Sequence, residues 1–308
     1  MKNYPLVSIY TCVYNGESTI HRVFESMKSL DYPNIEHIII NDGSTDHTDE
    51  LIQEYIQQVP FLVKYHKKEN GGKHTALNVA WSLAEGEFMI CLDADDRLLP
   101  NAATYLVNAY YQIPEDIRDE YWCVHGRCVT QNGEFVGNRY PEDINDVHWR
   151  EALEKAKQCP GDKLGLQVTK YLCQYRFPEV KGVSHIAESI VWNQINKVYG
   201  TWFTNEVLRI YYVDERETLS GKKTKRKHFA PLAYRLKWEI IHEQEYGSSL
   251  KTLFCYPLCY YIADDDFRKY NKYLDEIQKH RILLSLSRPI MFVGAFLYRV
   301  IKRIESDN

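Results

Sequence analysis

The sequence predicts an α/β fold: a mixed, mainly parallel sheet flanked by helices, with a helical extension at the C-terminus. Three observations carry this. Short apolar runs alternate with stretches of helical periodicity through residues 6–111. Polar clusters fall at the ends of those runs. Beyond Pro231 the strand-like runs give way to three or four helical patterns.

Leu6–Cys12, Ile35–Ile40, Phe61–Tyr65 and Glu87–Leu92 are the runs that read as strands. Between them Ser18–Leu30, Thr48–Val59 and His74–Ala84 read as helices, and Asn101–Tyr111 follows Pro100 as a fourth. Ser18 is the expected N-cap of the first, and Asp46 or Ser44 that of the second. Strands and helices in this alternation predict a parallel sheet covered on both faces. Ligands bind such sheets beyond the carboxyl ends of the strands. The polar clusters after the first, second and fourth runs are therefore expected to meet in one crevice.

From Trp122 the pattern changes. Trp122–Thr130 and Phe135–Tyr140 flank Gln131, Asn132 and Gly133 and read as a hairpin. Glu188–Tyr199 reads as a helix and Val207–Val213 as a strand. A boundary near Glu215 divides the chain into a site-bearing domain, residues 1–215, and a region of residues 216–308 that holds a basic run and the C-terminal helices.

Composition excludes several classes. The chain has 308 residues, 44% hydrophobic and 26% charged, with a formal net charge of -4. That is a globular balance, not a disordered, collagenous or disulfide-scaffold one, and it gives no reason to expect a nucleic-acid partner. The apolar run Leu6–Tyr10 is too short for a signal peptide. The eight cysteines are scattered, mostly in apolar runs, which predicts reduced, buried thiols and a cytoplasmic location. Cys123 with Cys128, and Cys255 with Cys259, lack the spacing of a zinc site.

Four clusters carry chemistry. Leu92, Asp93, Ala94, Asp95 and Asp96 put three carboxylates directly after the fourth strand. Adjacent carboxylates repel and are best tolerated where a cation gathers them. An Asp-x-Asp pair there can hold a hard divalent ion and leave positions for phosphate oxygens and water. Asn41, Asp42, Gly43, Ser44, Thr45 and Asp46 follow the second strand, where Asp42 can accept from the N–H edge of a pyrimidine. Thr11 and Tyr14 end the first strand; the Thr11 hydroxyl can meet a base edge or ribose, and the Tyr14 ring can lie against a base. Gly71, Gly72 and Lys73 open a helix, a setting that favours anions. No Walker A spacing and no G-x-G-x-x-G after a strand is present, which argues against an ATPase and a dinucleotide oxidoreductase.

In order and spacing these four clusters resemble the inverting family 2 glycosyltransferases over roughly the first 110 residues. The resemblance implies a GT-A fold for the first domain, a nucleotide-sugar donor, Mn2+ or Mg2+ as cofactor, and inversion at the anomeric carbon. It puts Thr11, Tyr14 and Asp42 on the nucleoside, Asp93 on the ribose, Asp95 on the metal, Lys73 near the donor and Asp96 near the donor sugar. Phe177, Pro178 and Glu179, with the run His185–Trp192, resemble a bacterial branch of the family. There a Glu at the position of Glu188 opens a helix near the donor, which makes Glu188 the expected base and Asp96 the next candidate. Asn41 and Thr11 depart from the usual Asp and Pro, and Ser189 from the usual Asp.

The Q-x-x-R-W motif of processive members is absent, which implies transfer of a single sugar. A UDP-linked donor and a glycan or lipid-linked glycan acceptor are expected, in bacterial surface polysaccharide synthesis. A non-catalytic nucleotide-sugar-binding protein on the same fold is the alternative. A sugar nucleotidyltransferase would carry a Gly-rich, basic signature near its start that this chain lacks. The basic run 222–227 reads as a solvated loop or as a flap over the diphosphate. Leu283–Ile304, apolar with interspersed arginines and lysines, reads as an amphipathic segment that packs on the protein or lies peripherally on the inner face of the membrane.

Overall fold

The computed structural model describes residues 4–179 and 186–213. His185, the basic run 222–227 and the C-terminal segment 283–304 lie outside the described residues. The chain divides into two units, one of residues 1–179 and 191–216, the other of residues 180–190 and 217–308.

The first unit is built on a single sheet. Its strands are β1 (Val7–Val13), β2 (Ile35–Asn41), β3 (Leu62–Lys67), β4 (Phe88–Cys91), β5 (Arg97–Leu98), β6 (Tyr121–Thr130), β7 (Lys163–Val168) and β8 (Gly200–Tyr211). The helices are α1 (His21–Lys28), α2 (Thr48–Ile56), α3 (Lys73–Leu83), α4 (Ala102–Gln112), α5 (Trp149–Ala156), α6 (Thr169–Leu172) and α7 (Ser189–Ile195). The strands lie in the order β3-β2-β1-β4-β7-β6-β8-β5. β1 to β4 are parallel, β7 runs antiparallel to both β4 and β6, and β6 and β8 are parallel. The carboxyl ends of β1, β2, β4, β6 and β8 therefore share one edge of the sheet, and β7 begins there.

The four predicted βα repeats form because the apolar runs of β1, β2 and β4 are covered on both faces, with β3 a partly exposed edge strand. All seven residues of β2 are buried, as a central parallel strand requires. His37 sits within it, hydrogen-bonded to Tyr55 Oη at 3.0 Å and Thr11 Oγ1 at 3.2 Å. Burial pushes its imidazole down to about 3, so it is neutral in the core. Glu36, equally buried, is charged because Lys64 stands 2.7 Å away and the Ser8 hydroxyl and Glu85 N–H donate to it.

Helix ends differ from expectation. α1 begins at His21 with Ile20 at the cap position and no side-chain cap bond; the Gly16 carbonyl instead accepts the N–H groups of Thr19 and Ile20. Asp46 does meet the start of α2, accepting from Thr48 N and Oγ1.

The hairpin is a correction. Thr130 N donates to Glu134 O and Val129 bridges Phe135, but Phe135–Tyr140 does not continue as a strand. β6 has two edges, and β7 and β8 occupy them. The segment after the turn instead runs along β8, where Tyr140 N donates to Asn205 Oδ1 and Asn145 bonds Phe203, and carries α5. It packs a small cluster of Tyr140, Ile144, Ala152, Cys159 and Phe203. Gly137 and Gly161 meet back to back here, both at positive φ. A Cβ on Gly137 would lie 1.6 Å from the Pro160 carbonyl oxygen, whereas one on Gly133, also at positive φ, would meet nothing within 4 Å.

Those two glycines make a paired prediction. Gly133→Ala should cost about 1–2 kcal/mol, the left-handed backbone alone. Gly137→Ala adds overpacking of about 1–3 kcal/mol to the same strain. Urea unfolding of the two variants side by side tests this; equal losses would mean that the 137/161 contact does not exist.

Candidate active site

The predicted crevice forms at the carboxyl ends of β1, β2 and β4. The Cys12 thiol near the end of β1 is pushed well above its ordinary range by burial and then by Cys91, and it lies within the fields of Lys73, Asp93 and Asp42. Three chain segments far apart in sequence thus converge.

The carboxylates after β4 take three different environments. Asp93 accepts from Lys73 Nζ at 2.5 Å and lies 3.5 Å from Arg209. Burial disfavours its charge, but Lys73 and Arg209 outweigh burial and hold the carboxyl below the usual range. Asp95 is partly exposed, and its carboxyl is pushed up by burial and then by Asp93. Its carbonyl accepts from Arg22, whose guanidinium lies 4.0 Å from the Tyr212 ring centroid. Asp96 is only 1% exposed. Oδ1 accepts the Tyr212 N–H at 3.0 Å, and Oδ2 is 3.4 Å from Arg209 Nε with no hydrogen bond. Burial pushes this carboxyl up to about 7.

Two expectations turn inward. Asp96, expected near the donor sugar, is enclosed by protein and ties the end of β4 to the end of β8. Thr11 is fully buried with its hydroxyl at His37, so that hydroxyl faces the core and not a ligand. Tyr14, in contrast, is 54% exposed on the loop after β1.

Asp42 is 3% exposed and fully engaged. Oδ1 accepts from Lys68 Nζ at 2.6 Å and Gly71 N at 3.0 Å; Oδ2 accepts from Gly72 N at 2.8 Å and Asn70 Nδ2 at 3.3 Å. Four donors match the four lone-pair sites of a carboxylate. The residue expected to receive a base edge thus holds the 68–72 loop, and through Gly72 it sets the start of α3, where Lys73 stands. Of the four donors two are backbone N–H groups, whereas Lys68 and Asn70 donate through side chains that a ligand can displace without moving backbone, Lys68 on the longer stem.

One α3 residue links two motifs. Asn78 donates to Phe177 O and Glu179 Oε1 and accepts from Phe177 N. The segment that precedes residues 180–185 is pinned there. Glu188 stands just before α7, partly exposed, in the second unit.

Arg209 and Lys68 were not singled out by sequence. Arg209 carried a signal: a charge inside the apolar run Val207–Val213, between Leu208 and Ile210. Burial opposes its charge, but Cys128, Asp96 and Asp93 hold it protonated.

The donor set fits a hard divalent cation. All of its members are oxygens, the Asp95 carboxyl is raised by burial and then by Asp93, and a buried Asp96 oxygen has no hydrogen bond. Among the described residues no three His, Cys, Asp or Glu converge on one point. An ion held by one or two carboxylates, with phosphate oxygens and water completing its shell, needs no such group.

The sequence pattern of the family described as "Glycosyl transferase family 2" matches residues 8–163, just over half of the chain. The chain belongs to that family. The family 2 chain is similar to an uncharacterized glycosyltransferase of Rickettsia bellii (32% identical over 145 residues, 46% of this chain and 20% of that one). It is also similar to the poly-beta-1,6-N-acetyl-D-glucosamine synthase of Staphylococcus epidermidis (37% over 110 residues, 35% and 26%) and the chondroitin synthase of Pasteurella multocida (35% over 139 residues, 44% and 14%). It thus spans about a quarter or less of the length of these relatives. Among solved structures it resembles S. aureus TarS 1–349 in complex with UDP-GlcNAc, with a TM-score of 0.58 at 16% identity, covering 94% of this chain and 89% of that one. The mannosyltransferase PcManGT of Pyrobaculum calidifontis, in complex with GDP-Man and Mn2+, matches with a TM-score of 0.55 at 18% identity over 92% and 87%. At such identities the likeness shows the fold, and the GT-A expectation holds. Among the described residues no helix is long and apolar enough to cross a membrane.

The Asp42 latch yields a prediction. Asp42→Asn replaces one carboxylate oxygen with an NH2 group that opposes one of the two glycine N–H groups and removes the negative charge that strengthens the bond to the other. Amide exchange at Gly71 and Gly72 should speed up at least about tenfold, with a loss of about 1–3 kcal/mol of stability. Unchanged exchange at both amides would show that the loop is held by other contacts.

Proposed function

We propose that this chain is an inverting, metal-dependent glycosyltransferase that moves one sugar from a nucleotide-sugar donor, UDP-linked, to a hydroxyl of a glycan or lipid-linked glycan acceptor. The observation that carries the proposal is the carboxylate group at the end of β4, with Asp95 partly exposed and Asp93 paired to Lys73. Two similar folds were solved with UDP-GlcNAc and with GDP-Man and Mn2+, which supports a sugar nucleotide as the ligand of this one. Surface polysaccharide synthesis is supported by the S. epidermidis and P. multocida relatives, and the reaction is assigned to the cytoplasmic side of the membrane.

Each residue has a task. Tyr14 offers a ring for the base, and Asp42 meets it where Lys68 gives way. Asp93 takes the ribose. Asp95 would hold Mn2+ or Mg2+ beside the donor diphosphate, where the ion would stabilise charge on the leaving group as a Lewis acid. Lys73 adds a positive charge at the start of α3. Glu188 accepts the acceptor's O–H proton as its oxygen bonds to the anomeric carbon, the bond from that carbon to the diphosphate breaks, and the nucleoside diphosphate leaves. Attack from the face opposite the leaving group inverts the centre.

Two variants separate the parts. Asp95→Ala should abolish Mn2+-dependent UDP binding, read by calorimetry, with the fold intact; equal affinity in wild type and variant, indifferent to EDTA, contradicts the metal assignment. Glu188→Gln should keep donor affinity and lose transfer by about 10²–10⁴-fold. Transfer at the wild-type rate would remove Glu188 from the chemistry.

A further inference from the structure

Arg127 and Lys163 are direct partners in the antiparallel β6–β7 ladder. Their side chains therefore leave the same face of the sheet with Cβ atoms about 5 Å apart, and like charges so placed are destabilising. The field of the neighbouring Asp162 offsets them only in part. Arg127 is 5% exposed, its Nε is buried without a hydrogen-bond partner, and its guanidinium lies 4.2 Å from the Phe135 ring centroid. Among the described residues Lys163 donates only to the Pro160 carbonyl, at 3.4 Å, with its ammonium 5.3 Å from the Tyr140 ring centroid. Among the described residues neither cation has a carboxylate within ion-pair distance. Burial, joined by the field of Arg127, pulls the Lys163 ammonium below its ordinary range. Two adjacent cations on central strands, one of them buried with an unmet donor, are what a missing anion leaves behind.

Register fixes where this pair stands. Ile90 pairs with Leu166; three residues on from Ile90 is Asp93, and three residues back from Leu166 is Lys163. Arg127 and Lys163 therefore lie at the level of Asp93 along the strands, at the ligand edge, with β7 next to β4 and β6 beyond it. The segment from residue 131 to 162 leaves and re-enters the sheet beside them, and it exposes 60% of Phe135 against Arg127.

We infer that Arg127 and Lys163 form an oxyanion subsite, bordered by Phe135, for a phosphate or carboxylate group carried by the acceptor. The word acceptor rests on the transferase reading; the anion site itself rests on the ladder. An anion between the two cations converts their repulsion into two charge-assisted contacts, and Phe135 supplies an apolar face for the part of the acceptor next to it. The acceptor is thus an anionic one, docked two strands along the sheet from the carboxylates of β4.

Inorganic phosphate is the probe, with sodium chloride of equal ionic strength as the reference. Phosphate should raise the Tm of the full chain beyond chloride, because a ligand bound only to the folded state stabilises it. Arg127→Met and Lys163→Met should each lose that rise while binding UDP with Mg2+ within about threefold of wild type. The rise should persist when UDP and Mg2+ are already bound. On wild-type protein, the Arg127 Nε–H resonance, assigned with Arg127→Lys, should move with phosphate, a reading that needs no methionine variant to fold. No phosphate effect beyond chloride, or the same effect in both variants, overturns the subsite. Suppression by UDP and Mg2+, or a matching loss of UDP affinity in the variants, assigns the pair to the donor diphosphate and overturns the acceptor role. If Asp95→Ala leaves UDP binding untouched but the phosphate response survives, the subsite stands and the metal-dependent transferase reading falls.

Discussion

Charge compensation at the end of β4 is the constraint on which the rest of the structure depends. Asp93, Asp95 and Asp96 lie within four residues at the end of β4, Asp96 buried and the other two half-buried. Three carboxylates cannot stay charged there without cations in place. Lys73 comes from the first residue of α3, and Arg209 from β8. At an effective dielectric near 20, an ion pair 3.5 Å apart is worth about 5 kcal/mol. Desolvation of the ions costs several kcal/mol each. The two nearly cancel, so the pairs contribute position more than stability. They require that β8, the far strand of the β6 ladder, reach the same level as the end of β4, and that α3 begin where the Asp42 latch sets it.

The same sheet edge divides into two electrostatic halves. Around β2 and β4, Asp42 pairs with Lys68 and Asp93 with Lys73 and Arg209, while Asp95 stands beside Asp93 with no ion pair among the described residues. Around β6 and β7, among the described residues, Arg127 and Lys163 form no ion pair. A protein that leaves one side short of a cation and the other short of an anion is arranged for two ligands of different kind. The side built on carboxylates suits a cation with a diphosphate, and the side built on cations suits an anion.

Much of this was legible in the sequence, and the rest was not for physical reasons. β1 to β4 and the helices between them were readable because each is a local repeat with its own periodicity. β7, Lys163–Val168, was not: it holds a glycine and polar residues, and its strand character comes from lying between β4 and β6. The hairpin expectation failed because local turn chemistry cannot say which strands claim the edges of β6. Asp42, Asp93 and Asp95 stood out as clusters at strand ends. Their cations did not, since Arg209 is 116 residues from Asp93 in the chain and only the fold brings them together. Thr11 and Asp96 were read as facing the ligand because strand alternation does not reveal which buried partner, His37 or Tyr212, claims a side chain.

The central claim is that the β4 carboxylates hold a divalent ion jointly with a nucleotide diphosphate and do not form a complete metal site of their own. Mn2+ binding followed by electron paramagnetic resonance, with and without UDP, tests it most directly. The account predicts weak Mn2+ binding to the chain alone and at least a tenfold gain in affinity with UDP present. The reciprocal gain in UDP affinity should be of the same size, because the coupling of two ligands is mutual. Mn2+ and UDP that bind with affinities independent of each other would contradict it.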